Sequence, residues 1–253
     1  MVVAGAIVLA ACGAASAGTA ATVATFETAP VLVAATTTDV ATDVTAQPAP
    51  VAVTTAVATS TTPPPPPTTI PAPCNVIFVS DSVGIDLINN GLKDRLAFGG
   101  CSLKWTGGQR GIEIESGAKV LSGASGVDAN VVVVMLGYHN ANSNAHKGRF
   151  PAVIDLVMQA AGSRLVVWPM YGATDDCSAN YQEGVGIANQ ALQDATGRWP
   201  NLRLVDYTSL LAAHPEYSQH RCPHLLASGS HDVAGWLAGQ IREVANVYYA
   251  AAG

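Results

Sequence analysis

Two residue types in this chain stand where nucleophilic catalysis could be carried out. Ser82 closes the triplet Ser80-Asp81-Ser82 directly after the apolar run Val76-Ile77-Phe78-Val79. His224 lies in a polar loop ahead of the last helical stretch. A serine hydroxyl is a poor nucleophile at neutral pH and needs a base within hydrogen-bond reach. Imidazole is such a base, and it can return the proton to the leaving group. The tetrahedral intermediate puts negative charge on the substrate oxygen, and each donor preset around that oxygen is worth about 3 kcal/mol. Ser and Asp are also common helix caps, and Asp81 is read as support for the turn rather than as an acid. His231 also precedes the last helix and is read as a surface residue. His214 and His220 fall in a polar loop.

Hydrophobic periodicity supplies the elements that must position these residues. Val131 to Leu136, Leu165 to Trp168 and Leu202 to Val205 are short apolar runs of the kind expected of strands buried on both faces. Helical spacing follows Ser82, with Ile85, Ile88, Leu92 and Leu96 apolar. Further helices are expected over Val153 to Ala161, Tyr181 to Thr196 and Val233 to Tyr249. Strand and helix alternate, which implies a parallel sheet covered on both faces. Ligands of such sheets bind at the carboxyl ends of the strands. The candidate segments are therefore Ser80-Asp81-Ser82, Gly137 to Asn140, Met170-Tyr171 and the residues after Asp206.

In that order the segments resemble the blocks of the SGNH (GDSL-type) hydrolases. Asp81-Ser82 is similar to the first block, with Ser80 in place of its glycine. Gly108-Gln109-Arg110-Gly111 resembles the second, and Leu136-Gly137-Tyr138-His139-Asn140 the third. His224-Leu225, followed by Gly229 and a helix, resembles the last. The resemblance spans residues 75 to 250. It implies a three-layer α/β/α fold, flavodoxin-like, with a central parallel sheet of about five strands. It implies Ser82 as nucleophile and His224 as base. The oxyanion donors it implies are the Ser82 and Gly108 backbone N–H groups and an asparagine side chain. The family asparagine stands two residues after the glycine, where this chain has His139. Either the loop bulges and Asn140 donates, the preferred reading, or His139 does. The family acid stands three residues before the histidine, where this chain has Arg221. A backbone carbonyl, Glu216 or another acid takes that role, or the pair works as a Ser–His dyad. Tyr138 and Tyr171 either line the cleft or pack in the core, and the four tryptophans are read as core. No metal and no cofactor is expected.

The expected activity is hydrolysis of an ester-linked acyl group on a small molecule or glycan. The alternatives are acyl transfer to an envelope glycan, a glycan- or lipid-binding module without turnover, and a stalked structural lipoprotein. Composition narrows the field. Net charge is −6 and no Lys/Arg cluster exists, against a nucleic-acid partner. No apolar run of about 18 residues lies beyond the N-terminus, against a polytopic membrane protein. A monomer is expected.

The charge is uneven: none of the 12 Lys and Arg falls in the first 73 residues, which hold 10 of the 15 prolines. Residues 1–11 read as the apolar part of a signal peptide. Leu9-Ala10-Ala11-Cys12 resembles the lipobox of bacterial lipoproteins, in which the cysteine is acylated, although no basic residue precedes it. The alternative is ordinary secretion with cleavage after Ala15-Ser16-Ala17. Residues 12–73, rich in Thr, Ala and Pro, read as a disordered tether, and residues 74–253 as the hydrolase-like domain. The protein is thus expected on the outer face of the cell membrane, or secreted. Apart from Cys12, four cysteines remain, and an exported chain can keep disulfides. Of three possible pairings, Cys74–Cys101 and Cys177–Cys222 are favoured. No CxxC motif occurs, against a zinc or redox site.

Overall fold

The computed structural model describes residues 73–218 and 222–251. The signal segment, Cys12 and the tether lie outside the described residues, apart from Pro73.

Five strands form one parallel sheet in the order β2-β1-β3-β4-β5. They are β1 (Asn75–Ser80), β2 (Ser102–Gly108), β3 (Val131–Met135), β4 (Leu165–Pro169) and β5 (Leu202–Val205). The runs Val131 to Met135 and Leu165 to Pro169 are buried at every position, and β1 is buried from Val76 onward. Helices on both sides leave such strands no wet face, so their sequence has no polar alternation. The edge strand β2 does alternate, with Ser102, Lys104 and Thr106 exposed and Leu103 and Trp105 half-buried.

The helices are α1 (Ser82–Asn89), α2 (Leu92–Phe98), α3 (Ile114–Ser122), α4 (Tyr138–Ala141), α5 (Phe150–Ala161), α6 (Ala179–Thr196), α7 (Tyr207–Ala213) and α8 (Ala227–Ala250). Helices α3, α5 and α6 pack in sequence on one side of the sheet; α1, α2 and α8 pack together on the other. The fold is therefore the expected three-layer α/β/α sandwich. Helix α8 begins six residues earlier than the apolar spacing predicts, because Ala227-Ser228-Gly229-Ser230 carries no large apolar side chain to mark the period.

Chain direction across the sheet decides where a site can form. From β1 the chain steps outward to β2, then returns past β1 to β3. The connections after β1 and β3 therefore leave on opposite sides, and a crevice opens above the carboxyl end of β1. Ser80, the last residue of β1, pairs with Gly108 of β2 and Met135 of β3. Ser82 follows two residues later, at that crevice. Disulfides join Cys74 to Cys101, beneath the amino ends of β1 and β2, and Cys177 to Cys222, between the loop after β4 and the loop before α8. Both favoured pairings are present. Among the described residues no helix is long and apolar enough to cross a membrane.

Candidate active site

Ser82 is the first residue of α1. Asp81 caps that helix from extended backbone, and its Oδ1 accepts the Val83 N–H at 3.1 Å. Its Oδ2 accepts the Tyr138 N–H, also at 3.1 Å. One buried carboxylate thus ties the start of α1 to the start of α4. Burial pushes the Asp81 carboxyl up to about 7, against the Val83, Tyr138 and Gly137 N–H groups that favour its charge; the nearby Asp86 charge pushes it further up. The first N–H groups of α1 have no carbonyl within the helix to accept them, so the Ser82 N–H stands at an anion-favouring position.

His224 arrives from the other side. Its loop is tied down by the Cys177–Cys222 disulfide, and the next residue, Leu225, is buried in the core. The His224 Nε2 lies 3.3 Å from the Ser82 Oγ. The His224 Nδ1 lies 3.0 Å from Oδ2 of Asp86. A carboxylate only accepts, so Nδ1 carries the proton and Nε2 turns its lone pair to the serine.

The carboxylate that meets His224 is Asp86, a residue the family blocks do not single out. It stands one helical turn after Ser82, and residues i and i+4 share a helix face. Ser82 and Asp86 therefore project from α1 toward the same imidazole. The signal for Asp86 in the sequence is the Ser-x-x-x-Asp spacing at the start of a helix. Glu216, one of the acids considered, pairs instead with His214 at 3.0 Å. The other Asp86 oxygen, Oδ1, accepts Nη2 of Arg110 at 2.5 Å.

The remaining expected residues are placed as follows. Gly108 ends β2 with φ +127°, and a Cβ there would lie 1.8 Å from the Ser80 carbonyl oxygen. Only glycine permits β2 to close on β1 at this point. Asn140 is 1% exposed and is not among the residues lining the Ser82 cleft. Its Oδ1 accepts the Ile114 N–H, and its Nδ2 faces Glu115 and His146. The neighbouring His139 and Asn142 line the cleft instead, with Ser82, Arg110, Gly111, Tyr138, Pro223 and His224. The cleft measures about 310 Å³. Tyr171 is buried, donates its hydroxyl to the Leu136 carbonyl and packs edge-on against Tyr138, so it belongs to the core. His231 pairs with Arg95 and Asp232, on the surface, as expected.

A larger hollow of about 570 Å³ lies between the loop after β4 and α7, and shares no lining residue with the cleft. Glu113, Glu115 and His146 bring one potential metal-ligating atom each within 4.8 Å of one another. Their charges already close locally, His146 on Glu113 at 3.5 Å and Arg149 on Glu115 at 2.7 Å.

The architecture matches solved structures across almost their full length. One is the lipolytic G-D-S-L family protein of Veillonella parvula, with TM-score 0.55, 14% identity, 66% of this chain and 97% of that one covered. The chain has the SGNH hydrolase fold. The catalytic domain of Streptococcus pneumoniae peptidoglycan O-acetyltransferase A, solved with a methylsulfonyl adduct, aligns at TM-score 0.54 and 16% identity, over 68% of this chain and 92% of that one. A family 3 carbohydrate esterase of Clostridium thermocellum aligns at TM-score 0.53 and 14% identity, over 68% and 98%. No protein-family model and no curated protein matches the sequence.

Proposed function

We propose that residues 74–253 form a serine esterase of SGNH type working through Ser82, His224 and Asp86. The observation that carries this reading is the unbroken line of contacts from the Ser82 Oγ through both ring nitrogens to the Asp86 carboxylate. A binding module without turnover would tolerate more than roughly 5 Å between hydroxyl and ring; the 3.3 Å separation speaks for catalysis. His224 takes the Ser82 proton as Oγ attacks the ester carbonyl, and Asp86 stabilises the imidazolium. The oxyanion is met by the Ser82 N–H at the open start of α1, with the Gly108 N–H at the end of the neighbouring β2 as the second backbone donor that the resemblance implies. His139 supplies the side-chain donor, because the Asn140 amide is engaged below the cleft. His224 then gives its proton to the leaving alcohol. Water, activated by the same imidazole, releases the acid from Ser82.

Transfer of the acyl group to a glycan hydroxyl is the second reading. The cleft lining is polar, offering Arg110, His139 and Asn142 to a hydroxylated acceptor rather than a bed for a long acyl chain. Export is supported by the two disulfides, and a lipid on Cys12 would hold the domain at the membrane. The test of the main reading is active-site labelling of the wild-type protein with a fluorophosphonate, alongside p-nitrophenyl acetate hydrolysis. Ser82→Ala abolishes both. A folded wild-type protein that is neither labelled nor active refutes the reading, and product analysis with a glycan acceptor separates hydrolysis from transfer.

A further inference from the structure

Arg110 stands in the turn after β2 and, like His224, lines the cleft. Its Nη2 donates to one oxygen of Asp86 while the other oxygen accepts from His224. We propose that Arg110 is a positioning residue that sets both the orientation and the effective charge of the catalytic acid; this rests on the Ser82–His224–Asp86 reading above.

The need for such a residue follows from where the acid comes from. Asp86 projects from a helix, with its side chain 20% exposed, and free rotation would let its carboxylate turn away from the imidazole. A donor fixed on one oxygen leaves the other aimed at His224 Nδ1. Arginine suits this, because its guanidinium is planar, permanently charged and fork-shaped. Arg110 is itself 58% exposed, so it also stays open to the cleft. The interaction has a second consequence. Guanidinium and imidazole each lie about 3 Å from an oxygen of the same carboxylate, so the two cations can be no more than about 8 Å apart. Arg110 therefore offsets part of the Asp86 charge that His224 experiences.

Asp81, whose carboxyl the Asp86 charge raises, acts on the same site but is common to wild type and variants, so Arg110 is the charge that the substitution changes. Asp81 sits beneath the start of α1, engaged by backbone N–H groups. His139 faces the cleft from α4. Glu113, at the start of α3, pairs with His146. Arg95, His231 and Asp232, where α2 and α8 pack beside α1, pair with one another.

The orientation effect and the charge effect act differently when Arg110 is removed. Losing orientation lowers turnover. Losing the positive charge makes imidazolium easier to keep, so activity fails at a higher pH. A unit charge at about 8 Å, in a partly wet cleft, corresponds to about half a pH unit. The experiment is the pH profile of kcat/KM for p-nitrophenyl acetate at low ionic strength, where surface screening is least. It uses the full chain as wild type, Arg110→Ala and Arg110→Lys, with thermal unfolding as the fold control. The expected result for Arg110→Ala is a fall of about 10- to 100-fold in kcat with KM little changed, and an acid limb moved up by about half a pH unit. Arg110→Lys restores the limb and part of the rate. Should Arg110→Ala fail to fold, Arg110→Gln, which keeps neutral donors, shifts the limb in the same direction. An acid limb unmoved in a folded, neutral variant overturns the proposal, as does a lysine variant that leaves the limb displaced. Wild-type protein that is neither active nor labelled at Ser82 overturns the triad reading, and this proposal with it.

Discussion

Replacing Asp86 by asparagine separates a catalytic acid from a surface carboxylate that merely lies nearby. The substitution keeps the shape of the side chain. Its effect depends on which way the amide turns, and the structure decides that. Arg110 donates to the position of Oδ1, so the amide oxygen must take that place. The amide nitrogen then faces His224 Nδ1, where Asp86 Oδ2 accepted at 3.0 Å. Two donors cannot share a hydrogen bond, so Nδ1 must give up its proton and accept. The ring proton moves to Nε2, which lies 3.3 Å from the Ser82 Oγ. The base then points a proton at the hydroxyl it should deprotonate. A wrong tautomer of this kind costs about 10⁴ in kcat in the serine protease triad, or roughly 5.5 kcal/mol of transition-state stabilisation. A loss of about 10³ to 10⁴ is expected for Asp86→Asn, and Asp86→Ala, which leaves room for water, should be no worse. The assay is p-nitrophenyl acetate turnover near neutral pH, with the thermal midpoint as control. A folded Asp86→Asn protein that keeps more than a tenth of wild-type turnover would refute the assignment.

Other perturbations test the scaffold around the site. The Asp81 carboxyl is raised by burial to about 7 in the folded chain, against about 4 when unfolded. The folded state therefore binds this proton more tightly, and its contribution to stability is complete below about pH 4 and lost as pH rises through 7. Thermal midpoints should fall between pH 5 and pH 8 by an amount reflecting a few kcal/mol at most, and Asp81→Asn should flatten that fall; equal slopes in both proteins would count against it. Cys222→Ser frees the loop carrying His224 and opens a closure of 45 residues, worth up to about 4 kcal/mol in the chain-entropy account. Turnover should decline at temperatures well below the variant's own unfolding transition, and unchanged turnover would dismiss a role for the bond in holding the base. Gly108→Ala places a methyl against the Ser80 carbonyl at a positive φ. It should lower stability by several kcal/mol, read by denaturant unfolding; a change below about 1 kcal/mol would show that β2 shifts freely.

The sheet was readable because its strands are of two recognisable kinds. Residues 131–135 and 165–169 are buried throughout, and a run of apolar residues bounded by polar ones states that directly. The edge strand carried a weaker signal, since only Leu103 and Trp105 among its larger side chains turn inward. Ser82 and His224, which the resemblance of Asp81-Ser82 and His224-Leu225 to family blocks singles out, lie 3.3 Å apart. Asp86 was not singled out, because a carboxylate on a half-buried helix face is ordinary, and only the docking of a loop 138 residues away brings an imidazole to it. Asn140 shows the reverse. Its residue type fits an oxyanion donor, but the backbone of α4 turns its amide inward to Ile114 N–H. Side-chain direction within a four-residue helix depends on where that helix begins, and spacing to the nearest glycine does not fix it.

Ser82 and Asp86 share one helix, so the distance between the proposed nucleophile and acid is written in the chain as a count of residues. An α-helix turns about 100° per residue. Inserting or deleting a single residue between them would swing the carboxylate to another face of α1, while length changes elsewhere leave their alignment intact. A one-residue insertion or deletion between 82 and 86 should therefore abolish turnover, whereas one in a surface loop away from the cleft should not. The same fixed count makes Ser-x-x-x-Asp, after a buried strand and paired with a late His-Leu, a searchable signature for other chains that could bring a serine and a carboxylate of one helix to one imidazole.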